Sequence, residues 1–300
     1  MMPDLLTEAD EAASRSAKAA GVVIRELDTL AELDAMIALF DEIWEPEDGN
    51  PSLRLDMVRA MTKAGNYATG AYDLASGELL GACVGFFGPP ARAELHSHIA
   101  GVRSAGLGRS VGFALKVHQR AWCLRRDVRV IAWTYDPLIR RNAYFNLVKL
   151  GARPTEYLRN FYGMMDDAIN GGTETDRVLV HWDLFSDLTV EACAGRSQAA
   201  SFAAERDRGA VHALSAGDGG APLAGLLLDG LPLDGWSGAR TLLVGVPADI
   251  EAMRLSDPAL AGTWRTALRD VLSPLLSGGA RVTGFDRRGG YVVSLGGDVR

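Results

Sequence analysis

The stretch that decides the fold reads ELHSHIAGVRSAGLGRSVGFALKVHQRAW over residues 94–122, and VRVIAWTYDPLIRRNAYFNLVKLGA follows over residues 128–152. An apolar strand ending at Val102 leads into a glycine-containing loop. Val111, Leu115 and Trp122 then recur at helical spacing, which predicts an amphipathic helix. The second segment predicts a strand, a stop at Pro137 and another helix.

A glycine loop at the start of a helix is a binding site for anions. It presents backbone N–H groups and the positive end of the helix dipole, most often to a phosphate. No Lys-Ser/Thr pair follows the glycines, and the full dinucleotide fingerprint with its downstream acid is missing. The loop therefore predicts a phosphate site that is neither a P-loop nor a dinucleotide fold.

In order and spacing, residues 94–165 resemble the GNAT superfamily of acyl-CoA-dependent N-acyltransferases, and in particular a bacterial subfamily of predicted acetyltransferases with a C-terminal extension. In that family a [Q/R]-x-x-G-x-[G/A] loop cradles the coenzyme A pyrophosphate. Arg103–Gly108 fits the pattern literally, but Leu107–Gly112 keeps the usual interval of five from Val102, and we favour it. Leu107 and Ser110 then stand where the family has Gln/Arg and its middle Gly. Both changes are tolerable, because main-chain N–H groups do most of the phosphate binding.

The resemblance implies a binding site for acetyl-CoA or another acyl-CoA as co-substrate, without a metal. The strand residues Ile99, Ala100, Gly101 and Val102 are expected to pair their backbone with the pantetheine arm. The pyrophosphate is expected at the loop residues Leu107, Gly108, Arg109, Ser110, Val111 and Gly112. Asn142 matches an asparagine of the family's next motif in type but not in exact offset, and a capping or packing role is equally plausible for it.

Three titratable side chains precede the expected donor site. Glu94, His96 and His98 are two residues apart, so they share one face of the strand. Relatives with a carboxylate base place it about six residues before the final valine, which here is His96. A histidine of ordinary pKa near 6.5 accepts a proton at neutral pH. Glu94 and His98 stay as alternative bases, as does a packing role for both histidines, and a metal site lacks a suitably spaced third ligand.

The proton donor to the leaving thiolate is less well defined. Many relatives carry a tyrosine four residues before the glycine that corresponds to Gly151, and Leu147 stands there. Tyr144 is the first substitute, with Tyr157 and Tyr162 as others. A thiol of pKa near 8.5 also leaves readily without a dedicated acid.

Composition limits the classes of function. The chain has 300 residues, 48% of them hydrophobic and 23% charged, and a net charge of −7. This composition is globular, and the charge argues against a general nucleic-acid binder. Five arginines on or beside the glycine-loop helix either favour a phosphorylated cofactor or are solvated: Arg103, Arg109, Arg120, Arg125 and Arg126.

Compartment and partners follow from other features of the sequence. The three cysteines, Cys83, Cys123 and Cys193, indicate neither a disulfide framework nor a zinc site, so a reducing cytoplasm fits best. No run reaches membrane-spanning length, and the N-terminus lacks a signal-peptide core. The expected partner is a small-molecule amine, with no nucleic acid and no membrane, and a homodimer stays open.

The predicted fold is a mixed α/β, mostly antiparallel sheet flanked by helices, with a second, smaller α/β domain. We place a flexible leader at residues 1–20, a GNAT catalytic domain at 21–185, a linker with a helix at 186–222, and the C-terminal domain at 223–300. That last domain is either a degenerate GNAT-like unit or a dimerisation element.

The resemblance also places a loop over the acceptor site. Its candidate residues are Trp44, Glu45, Glu47 and Asp48. One interpretation is that they contact a cationic amine, and the other is that they form a solvated acidic loop. The expected reaction is direct acyl transfer from acyl-CoA to an amine in a ternary complex. A non-catalytic acyl-CoA-binding or regulatory protein is the alternative, and the donor motif says nothing about which amine is used.

Overall fold

A computed structural model describes residues 2–46, 51–163, 174–224 and 239–296. The contacts between residues divide the chain into two compact units. Of the described residues, the first unit takes those up to Trp133 together with Trp182–Arg196, and the second unit takes the others. The predicted domain boundaries stay a prediction, since the two units follow contacts rather than chain order.

Helices and strands follow one another closely along the first half of the chain. In order they are α1 (Met2–Ala20), β1 (Val22–Glu26), α2 (Leu30–Trp44), α3 (Leu55–Lys63), β2 (Tyr67–Asp73), β3 (Leu79–Phe87), β4 (Glu94–Val102), α4 (Val111–Leu124) and β5 (Val130–Tyr135). Next come α5 (Arg140–Tyr144), which continues as a π-helical turn over Phe145–Lys149, and β6 (Arg153–Leu158).

The later elements are shorter, apart from one long helix. They are β7 (Arg177–Asp183), α6 (Asp187–Cys193), α7 (Phe202–Asp207), β8 (Val211–Ala216), β9 (Pro222–Ala224), β10 (Thr241–Gly245), α8 (Ile250–Ser256), α9 (Pro258–Ser277), β11 (Arg281–Phe285) and β12 (Gly290–Ser294). The structure thus confirms the predicted mixed α/β class.

The first unit is built on a sheet with helices on both faces. β1, β2, β3 and β4 pair antiparallel in chain order, and β4 pairs with β5 in parallel. α2 begins at a capping box in which Thr29 and Glu32 satisfy each other's backbone N–H groups. Its buried side chains, which include Leu33, Met36 and Phe40, form the core under one face of the sheet.

The residues expected to form a flexible leader are instead the helix α1. It packs along α4, and Ala9 and Ala12 are buried. The Glu8 carboxylate lies 2.8 Å from the guanidinium of Arg120, which is fully buried. Small alanines allow the two helices to approach closely, so the alanine-rich composition here reflects packing rather than fraying.

The second unit contains a five-stranded sheet of order β11-β12-β10-β8-β9, in which only β10 and β8 run parallel. β8 falls inside the predicted linker and β9 begins at its last residue, so that segment supplies a strand as well as helices. α9 starts at a cap in which the Asp257 side chain accepts from the N–H of Leu260. It continues past Pro274 to Ser277. β6 and β7 form an antiparallel pair.

Candidate functional site

The strands β4 and β5 pair over only three residues and then separate. The register runs from Glu94–Val130 to His96–Ala132 and stops there. We call this point, after His96 and Ala132, the fork. Beyond it, none of the described residues pairs as a strand with the edge of residues 97–102 that faces away from β3. The predicted pantetheine-binding residues therefore lie on an open strand edge.

A β-bulge marks the same part of β4. Val84 pairs with Ile99 and Gly85 pairs with Ser97, so His98 is the extra residue on β4. A bulge of this kind bends a strand and redirects its side chains, and it is common beside active sites. Here it lies two residues past the last pair of the fork.

The loop after β4 leaves backbone donors free at the start of α4. The N–H of Leu107 donates to Ser104 and that of Arg109 to Gly106. In contrast, five N–H groups have no acceptor within the described residues, and these belong to Gly108, Ser110, Val111, Gly112 and Phe113. Gly108 and Ser110 take left-handed backbone angles, with φ of 77° and 65°. The register that begins at Leu107 thus carries an anion-binding arrangement of amides.

The arginines of the loop and helix are committed to acidic partners. Arg109 lies 2.5 Å from Asp73 and also donates to the carbonyl oxygens of Ala20 and Gly21. The other ion pairs are Arg103–Glu42, Arg120–Glu8, Arg125–Asp10 and Arg126–Glu26. Because each of these guanidinium groups is paired with a carboxylate, the arginines offer little net positive charge to a cofactor. Main-chain amides are therefore the better candidates for holding a phosphate.

α2 approaches β4 closely at Gly101. A methyl group at Gly101 would lie 2.7 Å from Ile43 and 2.8 Å from Trp44. Trp44, expected in the acceptor loop, is the last residue of α2 and packs against β4. Glu45 follows it, exposed and in a left-handed conformation. Glu47 and Asp48 lie outside the described residues.

His96 and His98 face the side of the sheet opposite α4. Their ring centroids are 6.2 Å apart, and the Phe86 ring lies 5.0 Å from His96 and 5.8 Å from His98. Glu94 is on the same face and half-buried, with no hydrogen bond to either histidine within the described residues. The structure thus brings the two predicted histidines together in an aromatic cluster.

Burial changes the chemistry of these histidines. It lowers the pKa of His96 to about 4, with the nearby charges of His98 and Lys116 as smaller causes. Burial also lowers the pKa of His98. The expectation of an ordinary histidine pKa at His96 is therefore wrong. The imidazole is neutral at pH 7 but a weak base, so it is suited to accept a proton from a strongly acidic group rather than from a free ammonium.

The tyrosine candidates and Asn142 lie in the second unit. The Tyr144 ring is 5.4 Å from the Arg287 guanidinium, and Asn142 is in the same helix, α5. The Tyr157 hydroxyl donates to Asp176 at 2.7 Å, and burial raises its pKa. That hydroxyl is thus already committed. The Tyr162 hydroxyl lies 3.1 Å from that of Thr134.

The sequence analysis missed a buried polar network beneath the fork. Lys116 of α4 is only 4% exposed, and its Nζ donates to Ser97 at 2.9 Å and to Gln119 at 2.8 Å. Gln119 in turn contacts the buried Cys83 thiol at 3.5 Å. Eleven residues of α4 are buried because α1 covers the side that the sheet leaves open. The helical spacing of apolar residues does not show that α1 also packs on α4.

Two kinds of site are absent from the described residues. None of their His, Cys, Asp or Glu side chains form a group of three that could hold a metal ion. No helix among them is long and apolar enough to cross a membrane. All three cysteines are buried and free.

No family model matches this chain, and no curated protein matches it. Solved structures do. The ribosomal-protein-S18-alanine N-acetyltransferase of Escherichia coli is 15% identical, over 54% of this chain and 94% of that one, with a TM-score of 0.44. An aminoglycoside 6'-N-acetyltransferase complexed with coenzyme A is 18% identical, over 55% and 98%, with a TM-score of 0.42. The ribosomal-protein-S5-alanine acetyltransferase of Vibrio fischeri is 13% identical, over 55% and 94%, with a TM-score of 0.45. Each of these similarities spans just over half of this chain and nearly all of the solved chain.

Proposed function

We propose that the protein is an N-acyltransferase that moves an acyl group, acetyl by default, from acyl-CoA to a small-molecule amine. The observation that carries the proposal is the combination of an open strand edge at 97–102 with the unpaired amides at the start of α4. Acyl-CoA has an extended, amide-containing arm that ends in a diphosphate. The open strand edge offers backbone partners to the arm, and the N–H groups at the start of α4 offer donors to the diphosphate.

The residues suit direct transfer in a ternary complex. Backbone N–H groups on the open edge of β4 hold the donor and polarise its thioester carbonyl for attack. The amine nitrogen becomes a much stronger acid once it has attacked the carbonyl, and neutral His96 then accepts its proton. Proton transfer from a free ammonium of pKa about 10.4 to an imidazole of pKa about 4 would cost roughly 9 kcal/mol, so the amine enters uncharged.

The test has two steps. Isothermal titration calorimetry with acetyl-CoA measures binding, and release of free thiol from acetyl-CoA in the presence of a panel of amines measures turnover. We expect micromolar binding and amine-dependent thiol release. Binding without turnover for any amine would support the non-catalytic acyl-CoA-binding alternative, and absence of binding would refute both proposals.

A further inference from the structure

The Lys116 ammonium lies at the fork between β4 and β5. The last paired residues are His96 and Ala132, and the next residue of each strand contacts Lys116. On β4 this residue is Ser97, whose hydroxyl accepts from Nζ at 2.9 Å. On β5 it is Trp133, whose ring centroid lies 3.7 Å from Nζ. One buried cation therefore touches both strands at the first position where they no longer touch each other.

The surroundings keep this cation in place. Gln119, one turn along α4, accepts from Nζ at 2.8 Å. A second ring, that of Trp182, lies 5.8 Å away. Without the ammonium, both the Ser97 hydroxyl and the Gln119 carbonyl would lose a donor inside a core from which water is excluded. Burial of the Lys116 charge costs desolvation free energy, which an apolar side chain of similar volume would not.

We infer that Lys116 is a positioning residue: its charged form holds the fork open and thereby sets the strand edge on which the acyl-CoA donor binds. The inference rests on the proposed function for its substrate, but the arrangement itself is a property of the free protein. The ring of Trp133 attracts a cation and not a neutral amine, so the hold on β5 depends on charge. The hydrogen bonds to Ser97 and Gln119 survive deprotonation in part.

The titratable groups that face Lys116 make its charge testable. They are Cys83 on β3, Cys123 on α4 and His96 on β4. Burial lowers the pKa of Lys116 to about 8, raises the pKa of both thiols, and lowers that of His96 to about 4. Of these four groups, Lys116 is therefore the one whose pKa lies between 7 and 9.

The experiment measures acetyl-CoA affinity by calorimetry at pH 7 and pH 9.5 in wild-type protein and in Lys116→Met, which keeps the apolar stem without the charge. We expect the wild-type Kd to rise roughly fivefold over this range. Lys116→Met should bind roughly fivefold more weakly than wild type at pH 7 and show no pH dependence. Lys63→Met removes an exposed lysine from the end of α3 and should change neither value.

A second measurement needs no donor. In ligand-free protein, the NMR signals of the Trp133 indole and of the residue 97–102 amides should shift between pH 7 and pH 9.5 in wild type but not in Lys116→Met. Unchanged signals in wild type would overturn the inference, as would wild-type affinity and pH dependence in the variant. If wild type binds no acetyl-CoA while these signals still titrate, the proposed function fails and the role of Lys116 at the fork stands. Should Lys116→Met not fold, Ser97→Ala removes one acceptor and is expected to weaken binding by a smaller factor.

Discussion

His96 has the position expected of a base but not the proton affinity. Its ring lies beside those of Phe86 and His98 on the face of the sheet opposite α4, and burial lowers its pKa to about 4. Position came from counting along a strand, whereas proton affinity came from neighbours that other strands and helices supply. The two properties therefore have different origins at the same residue.

Replacing His96 tests its role in proton transfer. His96→Ala should lower kcat roughly 100-fold and leave the KM for acetyl-CoA within about threefold, because general bases contribute about that much to the chemical step. The lowered pKa keeps the imidazole neutral above pH 5, so His96 should add no inflection to the kcat profile between pH 6 and pH 8.

Steady-state kinetics across pH checks both statements. His98→Ala is the matched control on the same face, and we expect a smaller loss of kcat from it. An unchanged kcat in His96→Ala at every pH would remove His96 as the base.

Lys116 also predicts a pH dependence of stability. Its folded-state pKa of about 8 lies below the ordinary 10.5, so between these values the unfolded chain binds a proton that the folded chain does not. The free energy of unfolding should therefore rise with pH across this window, by an amount of the order of 3 kcal/mol.

Urea denaturation at pH 7.5, 9 and 10 measures this rise, and Lys116→Met should lack it. The direction is opposite to that expected for donor affinity, which falls as Lys116 loses its charge. Parallel changes in stability and affinity would contradict the assignment of both effects to one ammonium.

At the scale of elements, the site is made by where β4 stops pairing and where α4 begins. The fork opens a strand edge, the bulge at His98 bends it, and the loop then leaves five amides without an acceptor among the described residues. The proposed phosphate site uses these main-chain amides, so it requires no particular side chain at Leu107 or Ser110.

Gly112 tests the amides at the start of α4. A methyl group there would lie 3.6 Å from Val102, which is an ordinary contact, so Gly112→Ala should fold and bind acetyl-CoA. Its free energy of unfolding should rise by up to about 1 kcal/mol, because alanine favours a helix more than glycine does. Gly112→Trp should fold but lose at least about tenfold in affinity, because the ring covers the free N–H groups. Calorimetry compares the two variants, and equal affinities would refute the register that begins at Leu107.

Gly101 tests the approach of α2 to the donor strand. Its added methyl would lie under 3 Å from Ile43 and Trp44, so Gly101→Ala should destabilise the protein by about 1–3 kcal/mol. Gly262, on α9, has no atom within 4 Å of such a methyl, and Gly262→Ala should be neutral or stabilising. Urea denaturation of the two variants distinguishes close packing from a general effect of replacing glycine.

At the scale of the whole molecule, both units draw on segments distant in sequence. The first unit joins α1 to α4 and takes in α6 from beyond β7. In the second unit, Asp136 is buried against Arg254 and Arg265, more than a hundred residues away along the chain. Stability is therefore expected to depend on the full chain and not on residues 21–185 alone.

The ion pair between α1 and α4 tests this dependence. Arg120 is fully buried, so Glu8→Ala leaves its charge without a carboxylate partner and should cost about 3–5 kcal/mol. Glu11→Ala, on the same helix, breaks only an exposed pair with Arg15 and should cost less than about 1 kcal/mol. Thermal denaturation of both variants checks the difference, and similar melting temperatures would favour a leader that does not contribute to the core.

The sequence by itself determined the features that local patterns encode. Periodicity predicted the strand that ends at Val102, the helix that contains Val111, Leu115 and Trp122, and the strand before Pro137, and the structure has them as β4, α4 and β5. Each depends on neighbours a few residues away, which a single sequence displays. The glycine loop was also predictable for this reason, and its register at Leu107 stays a prediction.

Only the tertiary structure decided the rest, because it depends on which surfaces cover one another. The cover of α1 over α4 buried Arg120 and formed a helix from residues expected to be a flexible leader. Acidic partners from other elements neutralised the arginines around the loop, and burial weakened His96 as a base. The contact of Lys116 with both strands at the fork joins three elements, and no spacing along one of them predicts it.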